Sequence, residues 1–142
     1  MNIDYKNLPL PVSEILVNHL TDLLKNHDLS NTSTVTINFR DPDYCSEKGG
    51  YHPVEIMLFR RGDTWHFAYI TDFKYVGQGQ DVELAKDLDF DFQAGVFQTL
   101  HGYYRIEEGL DIYQVWEENF ITYSSTSKTK PIVEIALTSA LT

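Results

Sequence analysis

The chain has 142 residues, and its 21 acidic against 11 basic side chains give a formal net charge of −10 at pH 7. A hydrophobic share of 42% and an aromatic share of 13% are those of a globular chain, so they exclude intrinsic disorder. An acidic surface repels a phosphate backbone, which argues against nucleic-acid binding.

The N-terminal segment MNIDYKNLPLPV lacks a basic stretch followed by an apolar one, so it predicts no signal peptide. No run of about 18 apolar residues occurs, which argues against a membrane span. Cys45 is the single cysteine, and it permits neither an intrachain disulfide nor a zinc site built from several thiolates. Together these features predict a cytoplasmic location.

The first predicted element is an amphipathic helix that begins at Pro11, a residue suited to a first helical turn. Apolar residues recur there at spacings of three and four, which is the period of one helix face. The face expected to be buried consists of Val12, Ile15, Leu16, Leu20, Leu23 and Leu24. His19 lies on or beside this face, where a histidine is more often a partly buried core neighbour than a ligand.

Strands are predicted next. Residues 34–39 alternate polar and apolar side chains, and the loop 40–50 ends this strand. Residues 52–60 and 64–70 follow, and the glycine in their short connection indicates a β-hairpin. The predicted core face of that hairpin carries Val54, Ile56, Leu58, Trp65, Phe67 and Tyr69. The opposite face carries Met57, Phe59, Ala68 and Ile70, which predicts that a helix or a partner covers it.

The segment 82–92 alternates again. Its apolar residues Leu88, Phe90 and Phe92 are expected to face away from the acids Asp87, Asp89 and Asp91. We interpret the acids as a solvated outer face, with a weak surface cation site as the alternative. A calcium loop would need a glycine in place of Phe92 and a glutamate in place of Gln98. Residues 95–106 predict one further, irregular strand.

A second helix is predicted over residues 110–123. Its aromatic stripe consists of Leu110, Tyr113, Trp116, Phe120 and Tyr123. Residues 131–137 predict a last strand. Because neighbouring strands are joined by short connections, the predicted fold class is α+β: one antiparallel sheet of about five to six strands with both helices packed on it. We expect a single domain over residues 1–142.

The stretch GGYHPVEI, residues 49–56, raises the question of a chemical site. In an extended chain His52 and Glu55 point to opposite faces, so they cannot share a metal ion or act as one acid–base pair. We therefore assign no catalytic residue, no metal ligand and no cofactor. We predict instead a binding surface where the 40–50 loop meets the next strand. Its candidate residues are Arg40, Asp41, Tyr44, Cys45, Tyr51 and His52.

The same segment carries a family resemblance. Residues 40–56, RDPDYCSEKGGYHPVEI, resemble the signature of a small uncharacterised bacterial domain family found chiefly in marine and enteric gammaproteobacteria. The similarity extends over most of the chain. That family is known only as a domain of unknown function, so the resemblance implies a single-domain bacterial protein and assigns no catalytic residue.

The leading functional hypothesis is a non-enzymatic binding or interaction module that takes a protein partner or self-associates. The alternative is a small hydrolase or transferase that uses Cys45 or His52 with Asp41 or Glu55. An open cleft that holds Cys45 or His52 within hydrogen-bond reach of an acid would favour the enzyme.

Overall fold

A computed structural model describes residues 1–47, 49–125 and 130–139. These residues form two α-helices and eight β-strands. The elements are β1 (Ile3–Asp4), α1 (Glu14–Leu24), β2 (Thr32–Arg40), β3 (Val54–Arg61), β4 (Thr64–Val76), β5 (Glu83–Asp91), β6 (Val96–Thr99), β7 (Gly102–Arg105), α2 (Leu110–Ser125) and β8 (Ile132–Ser139). The α+β class is confirmed, but the prediction of five to six strands is wrong, since the described residues give eight.

The strands lie in one sheet in the order β7-β6-β5-β4-β3-β2-β8, with every neighbouring pair antiparallel. β1 pairs in parallel with the start of β4. Strands β2 to β7 follow one another along the chain, and α2 then leads back to β8 at the far edge. Among the described residues, no helix is long and apolar enough to cross a membrane.

The segment predicted as one irregular strand is a hairpin of two short strands, so that prediction is wrong. Thr99 pairs with Gly102, which leaves Leu100 and His101 as a two-residue turn between β6 and β7. The alternation of polar and apolar residues does not reveal so short a turn, so the segment is predicted as a single strand.

Helix α1 begins three residues later than predicted. The Ser13 side chain accepts a hydrogen bond from the Leu16 backbone amide at 3.1 Å and so caps the helix. The residues buried along α1 are Leu16, Val17, Leu20 and Leu24. Ile15 is 64% exposed, so its placement on the buried face is wrong. His19 stacks beside Phe39 as predicted, with 6.3 Å between ring centroids.

Helix α2 packs the predicted aromatic stripe against the sheet. Tyr113, Trp116, Phe120 and Tyr123 are buried, whereas Leu110 at the helix start is exposed. Glu117 is buried as well and ties the two helices together. One of its carboxylate oxygens accepts hydrogen bonds from the Tyr113 hydroxyl at 2.6 Å and from the Ser13 amide at 3.1 Å.

The central hairpin keeps most of its predicted core face. Val54, Ile56, Leu58, Trp65 and Phe67 are buried as expected. The assignments after Phe67 are wrong, because Leu58 pairs with Phe67 and Met57 with Tyr69, which leaves Ala68 as an extra residue in β4. This β-bulge shifts the alternation by one position. Ala68 and Ile70 are therefore buried, and the Tyr69 hydroxyl donates to Glu55 instead.

A second irregularity lies between β4 and β5. Asp72 pairs with Leu88 and Phe73 with Lys86, which leaves Asp87 as the extra residue. Asp89 is buried and accepts a hydrogen bond from the Thr71 hydroxyl at 2.7 Å. The prediction that all three acids of this strand form a solvated face is therefore wrong.

Candidate functional site

A pocket of about 710 Å³ lies beside helix α2, at the start of β3 and the interior of β4 and β5. Most of the lining is apolar, and we call these residues the apolar wall: Val54, Leu88, Ile112, Val115, Trp116 and Phe120. A polar cluster lies beside them, which we call the acidic end: His52, Asp72 and Asp87. A concave, mostly apolar space with a few converging polar groups is the usual form of a small-molecule site.

The acidic end is built around the buried carboxylate of Asp72. Asp72 accepts one hydrogen bond from the Trp116 indole N–H at 2.9 Å, and its other oxygen lies 2.6 Å from His52 Nδ1. Asp72 is only 8% exposed, so both of its oxygens need partners in the protein. The three residues therefore form a chain from the core to the pocket, and Asp72 fixes the orientation of the imidazole.

The two β-bulges place both carboxylates in the pocket. Ile70 and Asp72 share the helix-facing side of β4 because the extra residue Ala68 moves the alternation by one position. Asp87 and Leu88 are consecutive, yet both line the pocket. A regular strand would turn them to opposite faces, whereas a bulge can re-aim one of them.

Asp87 also links the acidic end to the ammonium group of Lys74. Its Oδ2 lies 3.6 Å from His52 Nδ1, and its Oδ1 lies 3.4 Å from Lys74 Nζ. The hydrogen bond to Asp72 raises the pKa of His52, partial burial opposes that rise, and the negative charges of Asp72 and Asp87 add to it. The imidazole therefore keeps its proton to a higher pH than a free histidine does.

The loop before β3 forms the pocket rim. Asp41 accepts a hydrogen bond from the Tyr51 backbone amide at 3.2 Å, and the Tyr51 ring stacks on Tyr123 with centroids 4.0 Å apart. Gly50 is required here, since it has a φ of 125° and a Cβ would lie 3.0 Å from an Asp41 oxygen. Burial, followed by the charge of Asp41, raises the pKa of Tyr123 to about 12, so the hydroxyl stays neutral.

Four of the six predicted contact residues are brought together here. Tyr51 and His52 line the pocket, and Asp41 holds the Tyr51 backbone. The Tyr44 ring lies 5.4 Å from that of His52 and stacks on Tyr75 at 5.2 Å.

The other two predicted residues make neither of these contacts, and of the six only Tyr51 and His52 line the pocket itself. Arg40 forms an exposed ion pair with Glu134 at 3.3 Å. Cys45 lies in the loop, where its backbone pairs with Gly49.

The acid partners expected for an enzyme are also different. Glu55 receives the Tyr69 hydroxyl, and Asp41 holds the loop backbone. His52 nevertheless lies in an open pocket within hydrogen-bond reach of an acid, which is Asp72. This arrangement meets the criterion that favours the enzymatic alternative.

Sequence reasoning missed Asp72, Asp87 and Trp116. Asp72 and Trp116 lie 44 positions apart, and no motif connects them. A faint signal exists in the sequence, because Asp72 is an acid that follows the largely apolar stretch from Trp65 to Ile70. His52, Asp72 and Asp87 are also the group among the described residues that could hold a metal ion, since one donor atom from each lies within 4.8 Å of the others.

The fold and the pocket together define a small α+β protein in which an antiparallel sheet and one helix enclose an aromatic site with an acidic end. The chain belongs to the family described as protein of unknown function (DUF2787), which its residues 14–134 match. No curated protein matches the chain.

Two solved structures from Vibrio cholerae are similar to the whole chain. The conserved hypothetical protein VC1805 from pathogenicity island VPI-2 is 37% identical, with a TM-score of 0.80 over 94% of this chain and 99% of that one. It is described as sharing structural homology with the human P32 protein. The hypothetical protein VC0508 from the VSP-II island is 31% identical, with a TM-score of 0.82 over 96% and 100% of the two chains. Neither description indicates an enzymatic function.

Proposed function

We propose that the protein is a bacterial cytoplasmic binding module whose ligand occupies the pocket beside α2. The ligand has an apolar body and a head group that donates hydrogen bonds or carries positive charge. The observation that carries this proposal is a mostly apolar pocket lining that also contains the carboxylates of Asp72 and Asp87 beside His52.

The apolar wall supports an organic body. Ile112 is 44% exposed and Val115 is 61% exposed, and both line the pocket on the solvent side of α2. A ligand that covered them would remove apolar surface from water, which contributes roughly 25 cal/mol for each Å² buried. The rings of Tyr51 and Tyr123 extend this wall at the rim.

The acidic end supports a donor or a cation as head group. Asp72, Asp87 and Asp111 all line the pocket, and carboxylates accept hydrogen bonds. The net charge of −10 attracts cations to the molecule as a whole. A carboxylate ligand would meet repulsion at the same end unless a cation came with it.

Binding explains the pocket better than covalent catalysis does. The described residues that line it include neither cysteine nor serine, the side chains that most often serve as covalent nucleophiles.

A pair of matched probes tests the proposal. In buffer with EDTA, phenethylamine should shift the amide resonances of α2 and of residues 50–52, whereas 3-phenylpropionate should not. Val115→Trp should fill the wall and weaken amine binding by about tenfold or more. Ile15→Trp is the matched control, because Ile15 is a similarly exposed β-branched residue on α1.

Three results would count against this function. They are equal binding of the amine and the acid, resonance shifts that avoid the pocket, and equal losses in the two tryptophan variants. Arg40→Gln gives a further control, since its ion pair with Glu134 lies outside the pocket, and amine binding should be unchanged.

A second candidate function is hydrolysis with His52 as the general base. Asp72 orients the imidazole, and the Trp116 indole holds Asp72 in place. Hydrolysis of 4-nitrophenyl acetate should then rise with pH through the raised pKa of His52 and should fall to the solution rate in His52→Gln. Equal rates for the two proteins would exclude this candidate.

A further inference from the structure

We propose that His52, Asp72 and Asp87 form a binding site for a divalent transition-metal ion at the acidic end of the pocket. The inference deepens the proposed function and rests on this pocket being the functional site, because it names the cation that the carboxylates recruit.

The donor atoms converge from three separate parts of the fold. His52 lies two residues before the start of β3, Asp72 lies in β4, and Asp87 is the bulged residue of β5. One donor atom from each lies within 4.8 Å of the other two. A site with one imidazole and two carboxylates suits Zn²⁺ or Mn²⁺ better than Ca²⁺, which takes six to eight oxygen ligands.

The groups behind these donors have the arrangement expected around a metal. The Trp116 indole donates to the far oxygen of Asp72 at 2.9 Å, so the near oxygen is held towards His52 and the pocket. Ligating carboxylates are commonly held by a second hydrogen bond of this kind. The Trp116 ring itself is 8% exposed and lines the pocket, so it contributes apolar surface beside the site.

Metal entry requires a small and feasible movement. His52 Nδ1 lies 2.6 Å from Asp72, which is a hydrogen-bond distance. A zinc ion about 2.1 Å from each atom would hold them about 3.4 Å apart at the tetrahedral angle, so the ring must withdraw by less than about 1 Å. The His52 side chain is 34% exposed and precedes its strand, so it has room to do so.

The remaining coordination positions face the pocket. Lys74 lies 3.4 Å from Asp87 Oδ1, which leaves Oδ2 to the metal. Three protein ligands leave at least one position open for water or a ligand atom. With the ion in place, the two carboxylates are neutralised and Lys74 adds a positive charge. The preferred head group of the ligand should therefore change from an amine to a carboxylate.

Metal titration of the intact protein after EDTA treatment and buffer exchange tests the site. Zn²⁺ or Mn²⁺ should bind with a stoichiometry of one by calorimetry, and Zn²⁺ should shift the ring resonances of His52. Asp87→Asn and His52→Gln should each weaken binding by about tenfold or more. Asp91→Asn is the matched control on the same strand, since an asparagine oxygen can still accept from the Ala94 amide, and its affinity should match that of the wild type.

The metal inference falls if millimolar Zn²⁺ and Mn²⁺ leave the His52 resonances in place. It also falls if the three asparagine and glutamine variants bind alike, because the ion then sits elsewhere on the acidic surface.

The two organic probes separate this inference from the proposed function. With Zn²⁺ added, 3-phenylpropionate should bind at the pocket and phenethylamine should weaken. Amine binding without any metal effect overturns the metal site and supports the ligand pocket. Zn²⁺ binding at His52 with neither probe bound overturns the amphipathic ligand and supports the metal site.

Discussion

Two parts of the central sheet differ in how regularly their strands pair. β2 and β3 pair without irregularity from Thr34 to Phe39, and every second residue of β3 from Val54 to Leu58 is buried. β4 contains one bulge opposite β3, and its other partner β5 contains another. We call β2 and β3 the regular half, and β4 and β5 the bulged half. The regular half supplies apolar side chains to the core, whereas the bulged half supplies Asp72 and Asp87 to the pocket.

The regular strands therefore mainly stabilise the fold, whereas the bulged strands also position the polar side chains of the pocket. Strict alternation fixes the face of each residue by its position, so a core face is built when apolar residues occupy every second position. A bulge changes the face of the residues that follow, at the cost of local pairing. We therefore expect substitutions in the regular half to act on stability, and substitutions in the bulged half to act on the pocket as well.

The largest effect should come from the regular half. Ile56 is fully buried, so Ile56→Ala should lower the free energy of unfolding by about 2–5 kcal/mol. Urea denaturation followed by circular dichroism measures the loss. Ile15→Ala on the exposed side of α1 is the control, and we expect less than about 0.5 kcal/mol there. Similar losses for the two variants would contradict the assigned core.

A smaller loss is expected when the buried carboxylate of the bulged half is removed. Asp72→Ala leaves the Trp116 indole without its acceptor, which should cost about 1–3 kcal/mol of stability. Trp116→Phe removes the donor, so the double variant should lose less than the sum of the single losses. Additive losses in this cycle would show that the two groups do not interact.

The smallest effect should be a pH dependence that depends on His52. Its pKa is raised in the folded protein, mainly by the hydrogen bond to Asp72. The resulting stability is fully present below about pH 6.5, the unfolded value, and is lost as the pH rises through the folded pKa. Since the side chain is 34% exposed, solvent screening should keep the effect below about 1 kcal/mol.

Urea denaturation in EDTA at about pH 6 and about pH 9 measures this change. The groups that face His52 are Asp72, Asp87, Lys74 and Tyr44, and they are the same in His52→Gln. The wild type should therefore lose its advantage over His52→Gln between the two pH values. If the difference in unfolding free energy between the two proteins is the same at both pH values, the neighbouring groups do not raise the pKa of His52.

Much of the fold is predictable from local patterns. The aromatic spacing of α2 places Tyr113, Trp116 and Phe120 correctly, and period-two alternation places Val54 and Ile56. These predictions succeed because one period governs each of those elements.

The errors arise where the period changes. Tyr69 is assigned to the wrong face because one extra residue, Ala68, precedes it, and the β6–β7 hairpin is missed because its turn has only two residues. The site is predictable only on its loop side, since Tyr51 and His52 adjoin in sequence. The contact of His52 with Asp72 depends on sheet pairing between distant segments.

The bulge at Ala68 has an evolutionary consequence. Loss of this single codon would leave Tyr69 opposite Met57 and Asp72 opposite Val54, so the pairing with β3 would become regular and Asp72 would keep its face. Loss of the Thr71 codon, which follows the bulge, would instead place Phe73 opposite Val54 and exchange the acid for an aromatic neighbour of the pocket. Descendants of the gene could lose or regain the recognition chemistry in a single step without acquiring a new architecture.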